Sequence, residues 1–462
     1  MHEGERPDYD RQEEPLGGPV VPINALRATP APADGALLAL RRGPGFPILS
    51  GPELARVLET ALGGGRPVPH GPARLAARDP ASDLELGDLG WLGLAWPAAE
   101  VLELEGDRRR PSTLTDLREA TRLADALPQV GVVAAAVRAL DVDPGLRPLR
   151  ELQALLAGTT KHVQIEVPPD EATAEALLEI ARAPGAEPDR PAVSALLDVE
   201  AIDEPGRIRA AGVLAGAGVP IGLAVRPAVG ALEETLGAAL GRALRAAGDL
   251  ANRAPGVTVF LVSRALGAGP DGVPAGAHAV RFLMAFVQAA RELGLPAAVE
   301  ALATGSRASD WQAGMEGGLG VTACWMAGPD LVLGAGLRDA GRAFSPVGLL
   351  LDTEAFDLVR PIPLGFAVDE ETLAVEVIEK VGPGGHFLGE PHTLRHMRET
   401  WSSRFMDRNT WEAWEERGRP EPPDHARERA RELLAEERPP ALGPEAEARI
   451  EEVIAAHGRG RR

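Results

Sequence analysis

Residues 162–199, HVQIEVPPDEATAEALLEIARAPGAEPDRPAVSALLDV, decide the fold. The stretch opens on a short β-rich run, His162–Val167. A segment with Ala, Leu and Glu at helical spacing follows, Glu171–Ala183, and a second apolar run, Ala192–Val199, ends the unit. Strands that are apolar without alternation must be covered on both faces, and crossover helices cover them when the sheet is parallel. The same order continues in both directions. Strands are predicted over Val130–Val137, Val219–Val225, Val257–Ser263, Ala297–Ala303 and Leu331–Leu333. Helices are predicted over Pro148–Leu156, Pro205–Ala215, Leu232–Asn252, His278–Gly294 and Asp310–Ala327, with two more near Pro346–Leu358 and Asp369–Val381. Seven strands, with His386–Leu388 as a short eighth, favour an α/β TIM (β/α)8 barrel over an open doubly wound sheet.

The rest of the chain divides around that barrel. Residues 1–75 are rich in Pro, Gly and charge and read as a loosely ordered extension with one helix, Pro52–Leu62. Residues 76–400 form the barrel domain. Within it the apolar stretch Leu84–Leu104, with Trp91 and Trp96, is expected to lie over the main body, and Ser112-Thr113-Leu114-Thr115-Asp116 reads as a capped helix start. Residues 401–462 form a charged helical tail, with Trp401, Trp411 and Trp414 expected to pack it onto the barrel.

Composition narrows the function. Apolar residues make up 45% but aromatics only 4%, so the core rests on Ala, Leu and Val. A net charge of −20 argues against nucleic acid, whose phosphates call for clustered Lys and Arg. The single cysteine, Cys324, excludes an intramolecular disulfide and suits a reducing compartment. No apolar run reaches the ~18 residues of a membrane span, and the acidic start lacks the order of a signal peptide. A soluble, cytoplasmic protein is expected.

In a TIM barrel the chemistry lies where strands end. The predicted rim holds Pro168-Pro169-Asp170, Asp198, Glu200, Arg226, Ser263-Arg264, Thr304–Arg307, Gly334–Gly336 and Gly389–His392. Two segments stand out. In Thr304–Glu316, TGSRASDWQAGME, a loop of small and hydroxyl residues enters a helix capped by Ser309 or Asp310, a place that favours a carboxylate or phosphate. An ordinary capped loop has the same composition.

Gly382–Arg398, GPGGHFLGEPHTLRHMR, sets His386, His392 and His396 within eleven residues, of nine histidines in all. His392 and His396, four apart on a helix, could hold zinc, but the spacing matches no zinc signature. Structural or acid–base histidines are the commoner outcome, and no metal is expected to be needed. Gly216-Ala217-Gly218 and Gly334-Ala335-Gly336 do not complete a nucleotide loop. Lys161, one of two lysines, precedes its strand and so belongs to the barrel's bottom face.

The stretches TLTDLREATRLADALP, TTKHV, SRASDWQAGME, GPGGHFLGEPHTLRHMRE, DRNTWEAWEERG and HARERARELLAEERPPAL together resemble the trimethylamine:corrinoid methyltransferase-like family over about residues 75–462. The resemblance implies a TIM barrel that moves a methyl group from a methylated amine to the cobalt of a corrinoid (cobalamin) on a separate small protein. The chain lacks a DxHxxG corrinoid-ligand motif, so it would bind no corrinoid of its own. With only standard residues it is similar to the pyrrolysine-free branch, which implies a quaternary or tertiary methylamine such as a betaine.

In that frame Ser306, Arg307, Asp310, Trp311 and Gln312 are the expected substrate contacts, and His386, Glu390 and His392 the expected catalytic groups. An aromatic wall from Trp311 or Trp91 would face the substrate cation. A homo-oligomer is expected, and no nucleic acid or membrane partner. Where the family carries a GATxPVT-like stretch, this chain reads Gly230-Ala231-Leu232-Glu233-Glu234-Thr235, and later Gly248-Asp249. Those departures leave two alternatives open: an inactive small-molecule-binding paralogue, or a metal-dependent barrel enzyme using His386, His392 and His396.

Overall fold

Short apolar strands that need cover on both faces find it by closing into a cylinder. The computed structural model describes residues 48–63, 68–86, 91–106, 108–183, 191–202, 204–226, 232–264, 277–360, 367–397 and 402–460. They fall in two compact units, 48–360 with 402–460 and, separately, 367–397. The expected leader up to residue 47, Trp401 and the departures at Gly230 and Ala231 lie outside the described residues.

In the larger unit eight parallel strands form a closed barrel: β1 Trp91–Gly93, β2 Val130–Ala134, β3 His162–Glu166, β4 Val193–Asp198, β5 Ile221–Val225, β6 Val259–Ser263, β7 Ala297–Glu300 and β8 Leu331–Leu333. The helices between and after them are α1 Leu114–Ala126, α2 Arg147–Gly158, α3 Glu171–Arg182, α4 Pro205–Gly216, α5 Leu232–Arg253, α6 Ala277–Glu292, α7 Trp311–Ala327 and α8 Pro346–Val359. The expected TIM barrel is therefore present. α1 begins with a capping box, Thr113 and Asp116 each satisfying the other's backbone amide.

The closing strand is not the expected one. β1 pairs with β8 through Leu331↔Trp91 and Leu333↔Gly93, and with β2 through Leu92↔Val130. Trp91 thus opens a barrel strand at its amino end, opposite the mouth, rather than folding over as an aromatic wall. His386–Leu388 is not a strand: it follows a turn with positive φ at Gly382 and Gly384, and Leu388 is 74% exposed, which a buried strand would not permit. An apolar run of three residues has too little length to declare its partners. A Cβ on Gly385 would lie 2.5 Å from the Val381 carbonyl oxygen, so that turn requires glycine.

Alternation along each strand sorts the barrel wall. In β6, Val259 and Leu261 join the cluster shared with the helices, while Phe260 and Val262 join the interior cluster. That interior also holds Val132, Leu196, Ala224, Ala298, Leu331 and Leu333, with Leu75 and Leu84 from the pair of strands Arg74–Leu75 and Leu84–Glu85. The chain after β1 (Glu100–Leu102, Arg109–Pro111) and after β8 (Leu337–Arg338, Ala343–Phe344) joins in a four-stranded sheet. Arg338, fully buried there, donates to both Asp352 oxygens at 3.1 Å, and Gly336 N–H donates to the same carboxylate at 2.8 Å.

The tail is held by its helices. α9, Pro422–Ala435, buries Ala426, Ala430 and Leu433 beside α8 and α1, and α10, Pro444–Gly460, buries Ile450 and Ile454 beside α3 and α2. Trp411 does not anchor the tail as expected. It is mostly exposed and pairs with Trp414, ring centroids 5.1 Å apart.

Candidate active site

The inward positions at the carboxyl ends of the strands carry charge, where the positions directly below them are Leu196, Ala224, Val262 and Ala298, with Gln164 below Glu166. Glu166 ends β3, Asp198 ends β4, Arg226 follows β5, Arg264 follows β6 and Glu300 ends β7. Trp96, just after β1, lies under the Arg264 guanidinium with 4.1 Å from its central carbon to the ring centroid. Glu300 is 2% exposed, and its nearest cationic atom is Arg264 Nε at 3.6 Å. Asp198 stands 4.0 Å from Arg264 and accepts a 2.8 Å hydrogen bond from Arg226.

Arg264 is therefore held by two carboxylates that do not reach it and by one aromatic face. Its Nε has no hydrogen-bond partner among the described residues, and neither have Trp96 Nε1 nor Gln164 Oε1. Burial pulls the Arg264 pKa below the ordinary arginine value against the pull of Glu300. Buried polar groups are normally paired, so several unpaired ones at one end of one barrel mark a place prepared for something else.

Beside this ring a cavity of ≈ 180 Å³ runs between the ends of β1–β3 and the helices α2 and α3. Its polar lining comes from Arg138, Glu151, Gln164, Glu166 and Arg207. Arg138 ion-pairs with Glu166 and lies 3.6 Å from Glu151. Glu151 accepts the Ala139 amide at 2.9 Å, and burial pushes its carboxyl above the usual range.

The loop after β7, where substrate contacts were expected, has a different character. Ser306 is buried and its hydroxyl donates to Asp310 at 2.6 Å, while Asp310 accepts the Ala313 amide at 3.0 Å and caps α7. The Ser306 hydroxyl and that amide hold the Asp310 carboxyl below its ordinary value. Gln312 and the Gly305 amide both donate to Glu316, at 2.8 and 2.6 Å. The structure brings these residues together, but chiefly onto one another. Arg307 is 80% exposed at its side chain, 3.8 Å from Asp339, and Trp311 is 78% exposed.

His386, Glu390 and His392 belong to the 367–397 unit, which is described by itself. There Lys380 donates to Glu390 at 2.7 Å, His392 Nε2 lies 2.7 Å from the Glu371 carbonyl oxygen, and His396 Nε2 lies 3.2 Å from Glu371 Oε1. His386 is exposed and is not part of that cluster. Lys161 donates to the Ala124 and Leu127 carbonyls at 3.1 and 2.8 Å, ending α1, and burial lowers its pKa to about 8. Its place is structural, on the amino side of β3.

Sequence reasoning placed Asp198, Arg226 and Arg264 at the rim but missed Trp96, Arg138, Glu166 and Glu300. The signal for the two glutamates was available: each is the lone acid of its strand at an inward-phase position, Glu300 after the apolar Ala298 and Glu166 after the polar His162 and Gln164.

Comparison with known proteins agrees with the resemblance. The family pattern described as Trimethylamine methyltransferase (MTTB) matches residues 188–460. The trimethylamine methyltransferase MttB of Desulfitobacterium hafniense (strain DSM 10664 / DCB-2) is 26% identical over 403 residues, 82% of this chain and 79% of that protein. The glycine betaine methyltransferase of D. hafniense (strain Y51) is 34% identical over 38% of this chain and 37% of its own length. The trimethylamine methyltransferase MttB of Methanosarcina barkeri is 31% identical over 32% of this chain and 30% of its own. Among the described residues no helix is long and apolar enough to cross a membrane.

Proposed function

Because the chain belongs to the trimethylamine methyltransferase (MTTB) family, we propose that it moves a methyl group from a quaternary or tertiary methylamine, betaine-like in kind, to the cobalt of a corrinoid carried by a separate protein. The barrel mouth is the substrate site in this reading. The observation that carries it is Arg264 resting on Trp96 among carboxylates that stand 3.6 and 4.0 Å away. A quaternary ammonium donates no hydrogen bond and is held by an aromatic face and nearby negative charge. An arginine without close partners is completed by a carboxylate. One mouth thus offers both ends of a betaine what they need.

The corrinoid is a substrate delivered by its own protein, and it supplies the cobalt nucleophile that takes the methyl group while the C–N electron pair stays on nitrogen. A quaternary amine leaves as a neutral tertiary amine, so no residue of this chain need deliver a proton. Its residues bind and orient. They must also not hold the cation too well, because the positive charge on nitrogen disappears as the C–N bond breaks, and contacts equally strong before and during transfer give no acceleration. Acids that stand off from the cation position suit that demand.

In the loop after β7, Ser306, Asp310 and Gln312 act as positioning residues, and the exposed Arg307 and Trp311 are the groups free to meet substrate or carrier. The test is purified protein with a reduced corrinoid protein and a panel of trimethylamine, glycine betaine and longer betaines, following methyl–cobalt absorbance. Transfer from at least one of them is expected. Binding of a betaine without transfer to any carrier would make the chain a binding barrel, and neither binding nor transfer would remove the reading altogether.

A further inference from the structure

The 367–397 unit poses a problem of stability. None of its described residues is buried, and eight large apolar side chains, among them Leu388 and Met397, are exposed. Described residues with so little apolar burial call for another fastening, commonly a disulfide or a metal. The chain has a single cysteine, buried in α7, so a disulfide within the chain is excluded.

The fastening point is visible at the junction of two short helices, Glu370–Leu373 and Pro391–His396. His392 and His396 lie one turn apart on the second helix, ring centroids 4.4 Å apart, and both face Glu371 on the first. One ligand atom from each of the three residues lies within 4.8 Å of the other two. A tetrahedral zinc with bonds of about 2.0–2.1 Å sets its ligand atoms roughly 3.3 Å apart. His396 Nε2 and Glu371 Oε1 are already 3.2 Å apart. The helix Val375–Val381 and the turn Gly382–Gly385 lie between these two helices in the chain, so an ion here would pin both ends of that segment.

We propose that Glu371, His392 and His396 bind a divalent cation of the zinc class and staple this unit. Two imidazoles and one carboxylate suit zinc, cobalt(II) or nickel(II), and a hard oxygen-seeking ion such as magnesium or calcium does not fit them. Arg395, which donates to Glu371 Oε1 at 2.6 Å, is the cation that holds the carboxylate when no ion does. The ion must displace it or move to the second oxygen. The site is a structural one, made wholly of residues of this unit, and it stands whether or not the chain transfers methyl groups.

The test uses the full chain, stripped with a chelator and dialysed, then titrated with zinc chloride alone. One zinc per chain is expected. Cobalt(II) in its place should give visible d–d bands of tetrahedral intensity. Zinc should also slow tryptic cleavage at Lys380, which is largely exposed. The His392→Ala and His396→Ala variants should each weaken binding by at least about tenfold, and Arg395→Ala should tighten it. Glu371→Gln keeps the shape of the side chain, so it should lose affinity with an unchanged metal-free circular dichroism spectrum. Sub-stoichiometric binding, binding unaltered in the histidine variants, or cleavage at Lys380 indifferent to zinc would each overturn the proposal.

Discussion

The two ends of the barrel interior treat buried polarity in opposite ways. At the amino end, His162 is fully buried, with Nδ1 2.7 Å from the Ala76 carbonyl oxygen and Nε2 2.9 Å from the Ser194 hydroxyl. Lys161 beside it caps a helix. At the carboxyl end, Glu300 and Arg264 are held 3.6 Å apart with no hydrogen bond between them, and Gln164 and Trp96 keep unpaired atoms. An unpaired buried polar group costs about 1–3 kcal/mol, so it persists only where something other than stability requires it. His162 is fully paired at the structural end, where Arg78 and Gln129 each keep one unpaired atom, and the unpaired atoms of Arg264, Trp96 and Gln164 gather toward the end that binds.

The largest effect tests the rule at the closest buried pair, where two guanidinium nitrogens of Arg338 donate to Asp352. Arg338→Met leaves the Asp352 carboxylate buried without its bidentate partner, and denaturant unfolding should show a loss of about 3–5 kcal/mol. The double replacement Arg264→Met with Glu300→Gln removes both charges of that mouth pair and should change stability by about 1 kcal/mol or less. If the mouth pair costs as much to remove as Arg338, the contrast between structural and binding charge fails.

Next in size is the pH response of the amino end. Burial pulls the His162 pKa from 6.5 to about 4, against the hydrogen bond that its Nδ1–H donates to the Ala76 carbonyl oxygen. The unfolded chain then binds a proton that the folded one refuses. The stability contributed by neutral His162 is fully present above pH 6.5 and is lost as pH falls toward 4, on the order of 3 kcal/mol. The difference in stability between pH 7 and pH 4.5 should be clearly smaller in His162→Gln than in the parent. An equal pH slope in both would show that His162 already titrates normally.

At the mouth the readout is affinity. Arg264→Met should weaken glycine betaine by about 2 kcal/mol, roughly 30-fold, and leave tetramethylammonium, which has no carboxylate, unweakened. Calorimetry that shows both ligands weakened alike would assign Arg264 to packing.

How much of this was legible in the sequence follows the length and phase of each element. Seven strands declared themselves because short β-rich runs, Leu331–Leu333 the shortest, alternate with helical segments. β1 did not, because Trp91-Leu92-Gly93 lies within the apolar stretch Leu84–Leu104 with no helical segment beside it, and only its two partners, β2 and β8, make it a strand. His386-Phe387-Leu388 looked equally apolar, but sequence cannot tell an apolar residue that will be covered from one that will not. Asp198, Arg226 and Arg264 were legible because they stand at strand ends. Glu166 and Glu300 fell inside predicted strands, where the inward phase and not the boundary reveals them. Trp96 and Arg138 reach the mouth from the loops after β1 and β2; Arg138 follows the predicted strand Val130–Val137 and was overlooked, and nothing in the spacing of Trp96 places it there. The helix cap was legible to within one residue, Ser309 or Asp310, but that the Asp310 carboxylate is consumed by Ser306 and Ala313 was not.

The smallest predicted effect separates the two aromatic candidates. Trp96 is buried, one face taken by Arg264, and its indole nitrogen has no partner among the described residues. Trp311 begins α7 with most of its surface in solvent. A cation–π contact is worth about 2 kcal/mol when water is excluded and about 0.5–1 kcal/mol at an exposed site. Trp96→Leu should therefore cost betaine affinity about 1–2 kcal/mol. Part of any loss of stability in that variant comes from removed apolar area, so affinity must be measured on the folded fraction. Trp311→Leu should leave the melting temperature unchanged, since little of its surface is buried, and cost affinity at most about 0.5–1 kcal/mol. A larger loss at Trp311 than at Trp96 would move the substrate cation out of the ring of Glu166, Asp198 and Glu300 and onto the loop after β7. The unpaired groups of the mouth would then need another ligand to account for them.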